Sequence, residues 1–175
     1  FNAMNIISEK EDGVAFVNEI LPMTPSQYIL QKVVVGFLFG SLSSIVTACI
    51  CFRLSWRDMG IMLVLILLSS FVAALIGLFI GKFSESLMVG VVYIKIVMLL
   101  FIAVPIVCAL IGVSGPLAVI CNLVPSQTAF DGIMALSSEN MGMAVEDIGV
   151  LAIHCIVWFS LYVLISTQRQ RQVIQ

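Results

Sequence analysis

Residues 59–81 read MGIMLVLILLSSFVAALIGLFIG, a stretch without one charged side chain, held between Asp58 and Lys82. At roughly 1.5 Å per residue, a helix of this length covers the ~30 Å hydrocarbon core of a bilayer. It shows neither the alternation of a half-buried strand nor the polar stripe of a helix on a water-soluble domain. The pattern recurs on both sides. Val33 to Phe52 is uncharged between Lys32 and Arg53, Leu87 to Val113 is broken only by Lys95, and Ile148 to Ser166 is uncharged around His154. Four such runs in 175 residues leave too little polar sequence to cover them in water. The expected fold is all-α, a polytopic membrane helical bundle forming a single transmembrane domain over 1–175. Its spans fall at 33–52, 59–81, 87–113 and 148–166.

Composition supports lipid as the solvent. Hydrophobic residues make up 61% and charged ones 10%, against about a quarter charged in a typical soluble domain. A net charge of −2 with no basic run excludes a nucleic-acid backbone as partner. The first apolar run follows about thirty mostly polar residues, which no cleavable signal peptide has. Of the five cysteines, Cys49, Cys51, Cys108 and Cys155 sit in apolar runs and Cys121 in a semi-apolar one. Their spacing suits small apolar residues and not metal ligands. The opening Phe1-Asn2-Ala3-Met4 fits either a start at Met4 or a chain cut from something longer.

Lysine and arginine set the expected orientation. With 8–32 in the cytoplasm, the inner side carries Lys10, Lys32, Lys82, Arg169 and Arg171, while the outer side carries Arg53 and Arg57. No basic residue occurs from Val113 to Asp147, so both ends of this chain are expected inside a multi-pass cell-membrane protein. Glu146 and Asp147 would then stand at the outer N-terminus of the last span, as its dipole prefers.

Between the third and fourth spans, 114–147 reads as an outer re-entrant helical hairpin. Ser114-Gly115-Pro116 breaks one helix and starts another, Leu117 to Leu123 is apolar, and Pro125 breaks again before a second short helix from Thr128 to Leu136. A pair of amphipathic helices lying on the surface is the alternative.

The polar start, 8–32, predicts an amphipathic elbow on the cytoplasmic surface. Ser8-Glu9-Lys10-Glu11-Asp12-Gly13 is a charge cluster ending in a turn residue, and Val14, Val17 and Leu21 recur at helical spacing up to Pro22. Thr24-Pro25-Ser26-Gln27 then has capping-box spacing, with Thr24 as N-cap and Pro25 as the first helical residue. The sequence lacks a phosphate-binding G-x-x-x-x-G-K-[ST] loop, an H-E-x-x-H pair and a G-x-S-x-G elbow. The acidic cluster has no dry site to tune two carboxylates apart, and His154 has no nucleophile near it in sequence, so no catalytic residue is expected.

Two segments carry a family resemblance. Ile7-Ser8-Glu9-Lys10-Glu11-Asp12-Gly13 followed by Leu21 to Lys32 resembles the cytoplasmic elbow of the type-2 permeases of ATP-binding-cassette exporters. Leu123-Val124-Pro125-Ser126-Gln127-Thr128-Ala129-Phe130-Asp131 is similar to that family's re-entrant segment, with Pro125 and Asp131 at the matching positions. The resemblance implies a membrane subunit, not an enzyme, that moves a drug, lipid, peptide or glycan outward. ATP and magnesium would belong to a cytoplasmic ATP-binding-cassette ATPase. It also implies a second permease half, identical or not. Glu9, Lys10, Glu11 and Gly13 would face the ATPase, and Thr24 and Pro25 would turn the chain back into the membrane. Family members have six spans, so the first two are expected to be missing from this chain. A non-catalytic membrane scaffold or assembly subunit that binds a cytoplasmic partner is the alternative.

One expectation comes from depth alone. Lys95 falls about 12 Å into the third span from its inner end, and Ser43, Ser44, Ser69, Ser70 and Ser160 fall at roughly 9–18 Å in theirs. A lysine at that depth costs on the order of 3 kcal/mol on insertion scales, which favours a mid-membrane polar belt around it. Snorkelling of the lysine stem toward the cytoplasm is the alternative.

Overall fold

Asn2, Ala3, Ile6 and Ile7 share one face of a short helix, α1 (Asn2–Glu11), and all four are buried. The computed structural model describes residues 2–12, 25–52, 55–113 and 115–173. After α1 come α2 (Pro25–Cys51), α3 (Trp56–Phe83), α4 (Leu87–Ile111), α5 (Pro116–Cys121), α6 (Pro125–Ser137) and α7 (Met141–Val173). Among the described residues there is no strand. Helices α2, α3, α4 and α7 are each long and apolar enough to cross a membrane, over Ile29–Cys51, Asp58–Phe83, Leu87–Ile111 and Met141–Ile165. The all-α polytopic bundle expected from hydropathy is the fold observed.

Helix α3 is the hub. It packs on α1, α2, α4, α6 and α7, and 44% of its most apolar window is buried against 6% for α4. Near its start, Met62, Leu65 and Ile66 meet Ala135 and Leu136 of α6 and Ala144 and Leu151 of α7. Near its end, Leu75 and Leu78 meet Ile6 of α1, Val33 of α2 and Tyr162 of α7. Phe79 anchors this second cluster, edge-on to Trp158 at 5.6 Å and to Tyr162 at 5.3 Å. The bundle thus has an α1 end and a hairpin end. The outward faces of α2 and α4 keep large apolar side chains exposed, Leu42, Ile50, Leu99 and Leu110 among them. Such faces are stable only against lipid or another apolar helix.

Observed boundaries differ from the expected ones in three places. A helix occupies Asn2–Glu11, ahead of the elbow helix expected from Val14. That elbow helix, with Gly13 and Thr24, lies outside the described residues; Pro25 does head α2. Helix α7 starts at Met141, and its first turn has no acidic residue. Glu146 and Asp147 therefore stand on its second turn, where the helix dipole has largely faded.

Between α4 and α7 two short helices follow one another, α5 and α6. Gly112 (φ 64°) and Gly115 (φ 71°) turn the chain sharply before α5, a conformation that costs glycine no steric penalty. The second short helix begins at Pro125 and not at Thr128, since proline lacks only an N–H that the first turn leaves unpaired anyway.

Candidate functional site

Among the described residues, the charged contacts concentrate at the α1 end. Four glycines let α1 dock there. A Cβ on Gly36 of α2 would meet Asn2 Nδ2 at 2.9 Å, and one on Gly77 of α3 would meet Asn2 Cβ at 3.2 Å. A Cβ on Gly81 would lie 2.9 Å from Ile6 Cβ, and one on Gly90 of α4 would collide with Ile7 Cδ1. Gly36 with Gly40, and Gly77 with Gly81, are spaced as G-x-x-x-G, which lets helix backbones approach closely inside a bilayer. Asn2 Nδ2 also donates to the Ala74 carbonyl at 3.2 Å. Since Asn2 lies beside Ala74 and Gly77, and Ile6 beside Gly81, α1 runs in the same direction as α3.

This docking delivers the charged residues of α1 to three different helices. Glu9 pairs with Lys32 on α2, and Lys32 donates to Asn5 as well. Lys10 Nζ donates to the carbonyls of Gly81 (2.6 Å), Lys82 (3.0 Å) and Ser84 (3.2 Å) at the close of α3. Glu11 Oε1 accepts from the Leu87 N–H at 2.6 Å, at the start of α4. The last carbonyls and first amides of a helix have no partner within it and carry partial charge. A cation on the first set and an anion on the second is the arrangement those charges favour. Neighbouring serines complete it: Ser84 Oγ donates to the Ile80 carbonyl at 2.6 Å, and Ser86 Oγ accepts from the Val89 N–H at 3.4 Å. Lys82 lies 5.5 Å over the Tyr162 ring, adding α7 to the same junction. Three consecutive residues, Glu9, Lys10 and Glu11, thus tie α2 at Lys32, the end of α3 and the start of α4 into one block.

Above this junction a groove of about 560 Å³ opens between α2, α3 and α4, closed at one end by Asn2 and Ala3. Gly40, Ser43, Ser70, Ala74, Val97 and Phe101 are among its walls. The residues expected to form a polar belt are not brought together. Ser43 and Ser70 face this groove, while Ser44, Lys95 and Ser160 are exposed on outer faces. Ser69 Oγ donates to the Leu65 carbonyl of its own helix at 2.8 Å.

At the hairpin end, α6 lies between α4 and α7, and Gly132 gives Asp147 room at 3.3 Å from where a Cβ would be. The Asn122 carbonyl before α6 lies 2.9 Å from His154 Nε2. A carbonyl only accepts, so that nitrogen carries the proton. His154 is roughly 20 Å along α7 from Met141, at about 1.5 Å per residue, so the link from α5 to α6 is tied to α7 well past the start of that helix. Gln127 Nε2 donates to both oxygens of Asp131, at 2.9 and 2.8 Å. Gln127 Oε1 and Ser126 Oγ are buried and find no partner among the described residues.

Sequence reasoning placed Glu9, Lys10 and Glu11 at an ATPase-facing elbow; it missed the helix ends they bond to, their neighbours Asn2, Asn5, Ser84 and Ser86, and the glycine groove. The paired G-x-x-x-G spacings were the signal available. A family model described as ABC-2 family transporter protein matches residues 1–164. No curated protein and no solved structure matches the chain.

Proposed function

The chain belongs to the ABC-2 family of transporter proteins, as a membrane permease component of an ATP-binding-cassette transporter, and from this premise we propose that it drives export with ATP hydrolysed by a partner chain. In this reading the α1 end faces the cytoplasm, both ends of the chain are inside, and the hairpin of α5 and α6 faces out. The observation that carries the reading is the charged junction. Glu9, Lys10 and Glu11 hold α2 at Lys32 and α3 and α4 by their ends, so a force on α1 moves three spans together. An ATPase docked on the segment after α1 would apply that force, while ATP and magnesium stay in the ATPase. The apolar groove between α2, α3 and α4 suits an apolar or amphipathic cargo better than a charged one. A second permease half covering the exposed faces of α2 and α4 would complete the pathway.

Co-purification tests this reading. The chain expressed with its companion ATPase should form a complex whose ATP hydrolysis is several-fold faster than that of the ATPase alone and responds to amphipathic compounds. A stable complex whose hydrolysis rate equals that of the free ATPase, with or without such compounds, would instead identify a scaffold.

A further inference from the structure

Cys108 lies one turn before the end of α4, and Cys121 is the last residue of α5. Their sulfurs are 2.7 Å apart, and a disulfide needs about 2.05 Å, so closure takes a shift of only about 0.7 Å. The other three cysteines have no such partner: Cys49 and Cys51 are exposed, and the buried Cys155 directs its thiol to the Leu68 carbonyl at 3.5 Å.

The surroundings give a bond there something to do. Helix α5 has six residues, too few to hold itself by backbone hydrogen bonds alone. It leaves Leu117, Val119 and Ile120 exposed and packs chiefly on α4. The glycine turns at Gly112 and Gly115 impose no rigid angle on its approach. Directly after Cys121 comes Asn122, whose carbonyl is the partner of both His154 and the Thr128 hydroxyl. A covalent link between Cys108 and Cys121 would therefore fix the hairpin tip against α4 and, through Asn122, against α7.

We propose that Cys108 and Cys121 are a redox modification site, oxidised to a disulfide by a thiol-oxidising protein disulfide at the outer face. The proposal rests on the orientation given above, which turns the end of α4 and the whole of α5 toward the compartment where disulfides persist. Cys121, the less buried of the two, attacks first as its thiolate. It displaces one sulfur of the oxidant and forms a mixed disulfide. Cys108 then attacks the Cys121 sulfur and releases the second. Two thiols are oxidised, one disulfide of the oxidant is reduced, and both protons end on the oxidant's thiols.

The test uses the full chain in aerobically grown cells, quenched with acid and denatured. Free thiols are blocked with N-ethylmaleimide, then the sample is reduced and labelled with a polyethylene-glycol maleimide. Two additions are expected in the wild type and none in Cys108→Ser or Cys121→Ser. Complete blocking before reduction, or two additions that survive in Cys108→Ser, overturns the site. Orientation is read separately from Ser138→Cys in a cysteine-free chain, with an impermeant maleimide on intact cells. Labelling of Ser138→Cys from outside with no additions in the wild type rejects the disulfide alone. Labelling only after permeabilisation rejects the orientation and the disulfide with it.

Discussion

Gly81→Leu should detach α1 from the bundle. Its new Cβ would start 2.9 Å from the Cβ of Ile6, a branch point fixed to the α1 backbone, so no rotamer change relieves the clash. Overpacking of a closed interface costs about 1–3 kcal/mol and sometimes more; a leucine at this crossing belongs at or above the top of that range. Gly81→Ala places the same Cβ in the same contact without the branch beyond it, so it should also destabilise, by less than the leucine does. Gly60 offers the control, because a Cβ there meets nothing within 4 Å, and Gly60→Ala should be neutral. Thermal unfolding in detergent should rank the variants Gly60→Ala, Gly81→Ala, Gly81→Leu in falling stability. Protease sensitivity near Glu11 should appear in the leucine variant alone. Equal melting points for all three would mean that α1 does not dock as described.

The second large effect is expected from exchanging the charges of Lys10 and Glu11. In Lys10→Glu/Glu11→Lys a carboxylate would face the carbonyls of Gly81, Lys82 and Ser84, and an ammonium would face the Leu87 amide. Hydrogen bonds to charged groups contribute about 1.5–3 kcal/mol each, and the exchange turns attraction into repulsion at two helix ends. Because the net charge is unchanged, insertion should be normal. Hydrolysis by the ATPase should continue while transport falls at least tenfold, since the spans would no longer follow α1. Wild-type transport in the exchanged variant would show that these residues are simply solvated.

The spans were legible because transfer into lipid depends on local sequence. A window of residues such as 59–81 contains the whole argument. Helix α1 was not legible in the same way. Its buried face is Asn2, Ala3, Ile6 and Ile7, too short and too polar to stand out by hydropathy, and it is stable because glycines on three other helices leave room for it. The charge cluster drew attention as a partner-facing surface. What it could not show is that Lys10 and Glu11 bond to backbone groups 71 to 76 residues further along the chain. Counting depth does not tell which belt residues share a face, for a related reason. Residue number gives height along a helix, but which side a residue faces depends on packing, and α3 packs Ser70 inward while α4 leaves Lys95 outside. The two short helices between α4 and α7 were readable because proline and glycine act locally. The contact of their link with His154, 32 residues from Asn122, was not.

The α1 end should be the side of the molecule that meets the ATPase. A photo-reactive amino acid at Asp12, the exposed residue closing α1, should cross-link to an ATP-binding-cassette ATPase in the assembled complex. The same group at Ser138, exposed at the hairpin end, should not. Adducts with the ATPase from Ser138, or none from Asp12 in a complex that hydrolyses ATP, would mean that the ATPase docks elsewhere.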